Sequence, residues 1–484
     1  MLTRFKVDGF KNLSGVDVQL GPFTCIAGPN GVGKSNLFDA IAFLSALADK
    51  PLLEAAAAVR GSEGRVGDVR ALFQSTGGKR THEMSFEAEM IIPKVGEDDL
   101  GSEARASMTF LRYKLKLRYR GDSNALGPLE VTSEEMEHIN KTRAGDVLGF
   151  PHSAAWRRSV IDGRRTVPYI STSVDEGKTI VLTQADSQGE RGGGGPRRLL
   201  AANMPRTVLS TANNAAERRT LVLARHEMMG WTQFQLEPSA LRSPDAFNAP
   251  RTIGTNGSHL ASALFGLAQE AKKAGRGTAE DVYQGVANRL AELFENVRTL
   301  RVDVDEKREL YSIVLRDLQD SDHLASSLSD GTLRFLALAI LEASASGPSL
   351  LCLEEPENGI HPDRIPPMIQ LLRDIAVDVN VEAGPDNPMR QVIVNTHSPV
   401  VVGCVPEDTL LMAEATERVR DGRRERPLVL RSVPKQGSLA PLLGYLAPAG
   451  MRPAPAGTQR SERRVVDRPE LRQLGLFDGD AAEE

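Results

Sequence analysis

Gly28-Pro29-Asn30-Gly31-Val32-Gly33-Lys34-Ser35 fits the spacing GxxxxGK[ST] of a phosphate-binding loop. Glycines in such a turn let main-chain N–H groups face inward and come close to phosphate oxygens. Lys34 would put its charge on the β- and γ-phosphates, and Ser35 would offer a hydroxyl to Mg2+. The context suits that chemistry. An apolar, strand-like run, Phe23–Ala27, leads into the turn, and Lys34–Leu47 follows with Leu37, Ile41 and Leu44 at helical spacing. The positive end of that helix, including Asn36 in its first turn, adds to the pull on an anion.

Two later stretches carry the complementary groups. Ser349-Leu350-Leu351-Cys352-Leu353-Glu354-Glu355-Pro356 is an apolar strand that ends in two acids. Phosphoryl transfer to water needs one carboxylate near Mg2+ and one group to orient or deprotonate the water. Neighbouring residues at a strand end point to opposite sides, so Glu354 is assigned to the metal and Glu355 to the water. Gln391-Val392-Ile393-Val394-Asn395-Thr396-His397 is another apolar strand ending in a polar turn, from which His397 could reach a terminal phosphate. Between the phosphate loop and these blocks lies Leu328-Ser329-Asp330-Gly331-Thr332, ahead of an apolar helix. Ser329 is suited to cap that helix, Gly331 permits close approach, and a helix start can hold an anion. Alone, the acids would read as a solvated strand end, the histidine as a structural turn residue and the serine as an ordinary cap. Their order after a phosphate loop gives them a shared task.

These motifs must be positioned by a sizeable scaffold. The chain has 484 residues, 40% apolar and 25% charged, which reads as a globular protein of two or three domains. A net charge of -5 gives no general attraction to nucleic acid or acidic membranes. Cys25, Cys352 and Cys404 are far apart within apolar runs and read as small buried hydrophobes. The start has no secretory apolar core, and no apolar run is long enough to span a bilayer, so a cytoplasmic location and no membrane partner are expected. Glu83–Ile91 and residues 109–120 alternate apolar and charged residues, as a half-buried antiparallel sheet requires. One face of the second strand carries Arg112, Lys114, Lys116, Arg118 and Arg120. That face reads either as a DNA-contacting surface or as one side of cross-strand ion pairs with Glu87 and Glu89. Residues 1–122 are taken as a first lobe with the phosphate loop and antiparallel strands. Residues 123–297 form an irregular and helical insertion, 298–447 a second lobe, and 448–484, rich in Pro, Ala and Arg, a disordered tail.

The succession of phosphate loop, LSDGT, LEEPENGIHP and THSP resembles the ABC ATPase superfamily. It is most similar to the chromosome-associated branch of RecF, SMC heads and OLD-family proteins, including the bacterial group labelled "AAA family ATPase". Asn256-Gly257-Ser258-His259-Leu260-Ala261 is also similar to this group. The resemblance implies an α/β P-loop NTPase head with a mixed sheet, an antiparallel β subdomain and an inserted helical lobe. It implies ATP and Mg2+ as ligands, ATP hydrolysis, and a head-to-tail homodimer. There, Ser329, Asp330 and Gly331 of one head would meet the nucleotide held by residues 28–36 of the other. Glu357-Asn358-Gly359-Ile360-His361 would be the D-loop crossing the same interface, and Gln74 the Mg2+-sensing glutamine. Two departures point to slow turnover suited to a switch: Glu354 stands where aspartate is usual, and Asp330 where glycine is common. The branch implies DNA as a candidate partner, in repair or anti-phage defence, with a nuclease or other effector on a separate chain. The other readings of the same motifs are a transporter ATPase subunit and a nucleotide sensor restraining an effector. Gln473-Leu474-Gly475-Leu476-Phe477 resembles a sliding-clamp-binding pentapeptide, or could dock on the head itself.

Overall fold

Phe23–Ala27, Leu350–Glu354 and Gln391–Thr396 are almost wholly buried along their lengths, and strands of that kind need cover on both faces. The computed structural model describes residues 1–59, 69–76, 79–121, 127–174, 180–184, 197–344, 347–420 and 423–432. In it these strands form the middle of a six-stranded sheet. Its order is Trp231–Phe234, Leu350–Glu354, Gln391–Thr396, Phe23–Ala27, Leu410–Ala415, Leu428–Ser432. The first five run parallel and the last is antiparallel, giving a mixed sheet.

Period-two alternation divides each strand between two cores. Ile26, Cys352, Ile393 and Ala413 face one core, shared with the phosphate-loop helix Lys34–Leu47 and an antiparallel sheet. Cys25, Leu351, Leu353, Val394 and Met412 face the other, shared with helices Leu260–Lys273, Ala279–Ala291, Asp330–Ala343 and Ile365–Ile375. A small antiparallel sheet built on Val297–Asp305 and Leu310–Asp317 completes that second layer. Of the three cysteines expected at buried apolar sites, Cys352 is buried in the first core and Cys25 in the second, while Cys404 is only half-buried against the second.

The antiparallel sheet has eight strands and is larger than the alternation in residues 1–122 suggests. Leu129–His138 pairs along Phe110–Tyr119, and Ile170–Val174, Ile180–Gln184 and Arg197–Leu200 extend the edge. The segment expected to be irregular and helical is thus partly sheet. The reason is a register shift between Val131 and Ser133. It moves the inward positions from Leu129 and Val131 to Glu134 and Met136, so no single alternation runs through the strand. The inward Glu134 conceals the pattern further. Its carboxylate accepts from the amides of Val208 (2.6 Å) and Leu209 (2.8 Å) and from the Tyr113 hydroxyl (3.0 Å). Burial nonetheless pushes it up to about 7.

On the outer face the ion-pair reading holds at three of the five cations. Arg112 meets Glu89 at 2.7 Å, Lys114 meets Glu137 at 3.1 Å and Arg118 meets Glu83 at 2.8 Å. Arg120 donates to the carbonyls of Gly127 and Ala202, and Lys116 lies in register with Ser85 and Ser133. No helix among the described residues is long and apolar enough to cross a membrane. The pentapeptide at 473–477, the tail and the glycine run at 192–195 lie outside the described residues.

Candidate nucleotide site

Parallel pairing decides where the chemistry gathers. Glu354 is in register with Asn395, and Thr396 with Ala27. The turns leaving these three adjacent strands emerge side by side at one sheet edge, where ligands of parallel sheets bind. They are the phosphate loop, the acid turn and the histidine turn.

The phosphate loop needs its glycines. A Cβ on Gly28 would lie 2.4 Å from the Ala413 carbonyl oxygen, and Gly33 has φ +110° with Asn12 side-chain atoms 2.3–2.5 Å from where a Cβ would sit. Asn12 donates to the Val32 carbonyl at 3.0 Å and accepts from Asn36 at 2.8 Å, bracing the turn from outside. Asn36 is thereby turned to the brace. Pro29 is half-buried and Val32 buried, while Asn30 and Gly31 are exposed at the tip. Lys34 is buried, and its Nζ donates to the carbonyls of Gly28 (2.6 Å) and Pro29 (2.8 Å). Burial lowers its pKa, opposed by the negative charges of Glu355 and Glu357.

The two acids take different partners. Glu354 takes the Ser35 hydroxyl on Oε2 at 3.1 Å and the Gln233 amide on Oε1 at 2.7 Å. Glu355 turns away with φ +44°, a conformation few non-glycine residues adopt. Its amide donates to both Asn395 oxygens, main-chain and side-chain, pinning the turn to the neighbouring strand. Its carboxylate takes Asn358 Nδ2 at 2.8 Å and lies 2.7 Å from His397 Nδ1. Burial pushes the Glu355 carboxyl up, but the bonds from Asn358 and His397 and the charges of His397 and Lys34 hold it below the usual glutamate range. Glu357 is buried and accepts from the Thr396 hydroxyl, which accepts in turn from the Ser398 amide at 2.9 Å. Desolvation raises its pKa.

The structure therefore brings Ser35 and Glu354 together, and Lys34, Glu355, Asn358 and His397 beside them. It does not bring the 328–332 tip into this group: among the described residues no hydrogen bond joins that tip to the phosphate loop. Ser329 is exposed and caps the helix Asp330–Ala343, its Oγ accepting from the Thr332 amide at 3.2 Å. The tip packs on the turn after Glu355, since a Cβ on Gly331 would stand 3.1 Å from the Gly359 carbonyl oxygen. Gln74 is buried, and its main-chain N–H donates to the Gly9 carbonyl at 2.9 Å. The glutamine that the described hydrogen bonds place on Glu354 is Gln233, which sequence reasoning missed. Its only local signal is its place in a short strand with apolar ends, Trp231–Phe234.

A family model described as "AAA domain, putative AbiEii toxin, Type IV TA system" matches residues 23–110 and 286–403. No curated protein matches the chain. Among solved structures, an Smc head bound to the C-terminal winged-helix domain of ScpA shares 13% identity at TM-score 0.43, covering 90% of this chain and 98% of that one. The SMC head domain of Thermotoga maritima shares 12% at TM-score 0.36, covering 90% and 99%. An Smc head with extended coiled coil from Pyrococcus furiosus, bound to the C-terminal domain of ScpA, shares 13% at TM-score 0.40, covering 89% and 96%. The two matched blocks are the ones that supply the phosphate loop, both acids and the histidine, folded onto one edge of one mixed sheet, and over them the chain is similar to that AAA domain within an α/β P-loop ATPase fold.

Proposed function

We propose that this head binds ATP with Mg2+, hydrolyses it slowly, and pairs head to tail with a second copy while both sites hold ATP. The observation that supports this most is the meeting of Lys34, Glu355 and His397 at one sheet edge, with His397 Nδ1 2.7 Å from Glu355. The donors suit the ligands. A hydroxyl and a carboxylate held 3.1 Å apart are hard oxygen donors of the kind Mg2+ takes, and a buried lysine resting on its own loop carbonyls has donors to give to phosphate. When bound, Mg2+ supplies charge neutralisation on the phosphate oxygens.

The protein's own residues do the rest. Residues 28–36 hold the phosphates through main-chain amides, Lys34 and the helix start. Ser35 and Glu354 would hold the metal. Glu355, ionised near neutral pH, orients and deprotonates the water that attacks the terminal phosphorus, as its bond to the ADP oxygen breaks. His397, fixed by Nδ1 to Glu355, keeps Nε2 for the terminal phosphate. Ser329, Asp330 and Gly331 of the second copy close the site, with Asn358 beside them at the interface. The head then serves as an ATP-dependent switch for a separate effector, acting at DNA. The toxin–antitoxin wording attached to the matching family favours anti-phage defence over repair.

Glu355→Gln tests the reading. At saturating ATP the variant should run as a dimer in light scattering, while Lys34→Ala stays monomeric and inactive. A Glu355→Gln head that remains monomeric removes the dimer, and a Lys34→Ala head that hydrolyses ATP at the parental rate removes the enzyme.

A further inference from the structure

Asp330 is the feature that fits the proposed dimer least. It is the first residue of the helix that Ser329 caps, so its carboxylate would approach a triphosphate held by the other copy. Like charges brought together at an interface oppose binding. Within the head, however, this carboxylate is not alone. Arg242 Nη2 donates to Asp330 Oδ1 and also, at 3.0 Å, to the Leu328 carbonyl. The guanidinium thus spans the tip, touching residues on both sides of Ser329. Its Nε and Nη1 donate to nothing among the described residues, and its side chain is 30% exposed. Arg334, one turn further along the helix, is shared between the fields of Asp330 and the buried Glu357.

Arg242 is held for this position. It ends the short helix Pro238–Arg242, which follows the strand bearing Gln233. The loop around Asn256-Gly257-Ser258-His259 clamps it. Gln235 and Glu237 amides donate to the Thr255 and Asn256 carbonyls at 2.8 Å, and Gly257 has φ +90° where a Cβ would meet Leu241 at 2.8 Å. His259, in left-handed conformation at φ +65°, fixes the loop's far end against Asp245 at 3.2 Å.

We propose that Arg242 is the counter-charge that allows an Asp330-bearing signature tip to dock on the triphosphate of a second copy of this chain. The inference rests on the head-to-tail reading above. It assigns the clamped segment 235–259 to the interface, although among the described residues no hydrogen bond joins that segment to the phosphate loop of its own head.

The test uses full-length protein carrying Glu355→Gln, with the dimer dissociation constant at saturating ATP read by light scattering or ultracentrifugation. Arg242→Gln should weaken the dimer by about tenfold or more, equivalent to about 1.4 kcal/mol. Arg242→Lys, which keeps the charge, should stay within about threefold, and Arg242→Gln combined with Asp330→Asn should return to within about threefold of the parent. The double variant is also the folding control, because a dimer restored by a second substitution cannot come from an unfolded chain. An Arg242→Gln dimer as tight as the parent overturns the inference, and so does a double variant as weak as the single one. If the Glu355→Gln parent itself never dimerises, the head-to-tail reading has failed, which is a separate result.

Discussion

Gln233→Leu should weaken Mg2+-dependent nucleotide binding while leaving the water-activating side intact. Glu354 is held at both oxygens, Oε2 by the Ser35 hydroxyl at 3.1 Å and Oε1 by the Gln233 amide at 2.7 Å. Leucine has similar bulk and deletes the shorter bond, leaving Oε1 without that donor. A hydrogen bond to a charged group contributes about 1.5–3 kcal/mol net, and loss of a partner that orients a metal-facing carboxylate typically costs about 10–100-fold in metal affinity. The two estimates agree, since about tenfold corresponds to 1.4 kcal/mol. The Mg2+ concentration that half-saturates ATP binding should therefore rise by about 10–100-fold. The Glu355 contacts with Asn358 and His397 do not pass through Gln233, so turnover at saturating Mg2+ should fall by less than about fivefold, or about 1 kcal/mol in barrier. The assay is a fluorescent-ATP titration against Mg2+ at fixed protein, with phosphate release measured at the plateau. A half-saturation point within about threefold of wild type would refute the role given to Gln233. So would a large loss of turnover that excess Mg2+ does not restore.

Gly33→Ala should abolish ATP binding in calorimetry while the chain stays folded, because the new Cβ requires φ near +110° and displaces the Asn12 brace that holds Val32 and Asn36. His397→Ala should slow single-turnover hydrolysis by about 10–1000-fold, with ATP affinity changed far less, since a positioned polar group acts mainly in the transition state. Glu134 gives a pH signature. Its folded pKa of about 7 lies above the usual 4.5, so its contribution to stability is full below pH 4.5 and is lost as pH rises through 7, by about 3 kcal/mol in total. Thermal melts of Glu134→Gln should lack that decline, and parallel wild-type and variant profiles between pH 4.5 and 7 would contradict the assignment.

What the sequence discloses and what it hides follow from distance along the chain. The phosphate loop, the Glu354-Glu355 pair and His397 were readable because each sits in a local pattern: an apolar strand, then a turn of chemically telling residues. Ser329 as a helix cap was readable for the same reason. Gln233 and Arg242 were not. They act through partners 121 and 88 residues away, and nothing beside them in sequence marks those contacts. Asn12 escaped likewise, bracing the loop from a turn before it. The strand Leu129–His138 was hidden by a bulge that resets its parity and by an acid facing the core. The basic stripe on Phe110–Tyr119 was legible as a pattern, but only strand pairing shows that Arg112, Lys114 and Arg118 meet carboxylates.

The tie between Glu357 and Thr396 has a mechanical side. Glu357 is fastened to the base of the histidine turn, and two residues later Gly359 backs directly onto Gly331 at the tip of the capped helix. A lever that short has almost no slack. On the proposed reading, a shift of His397 on phosphate binding or release would be absorbed within Asn358 and Gly359, or else be delivered to the surface that a second head would press against.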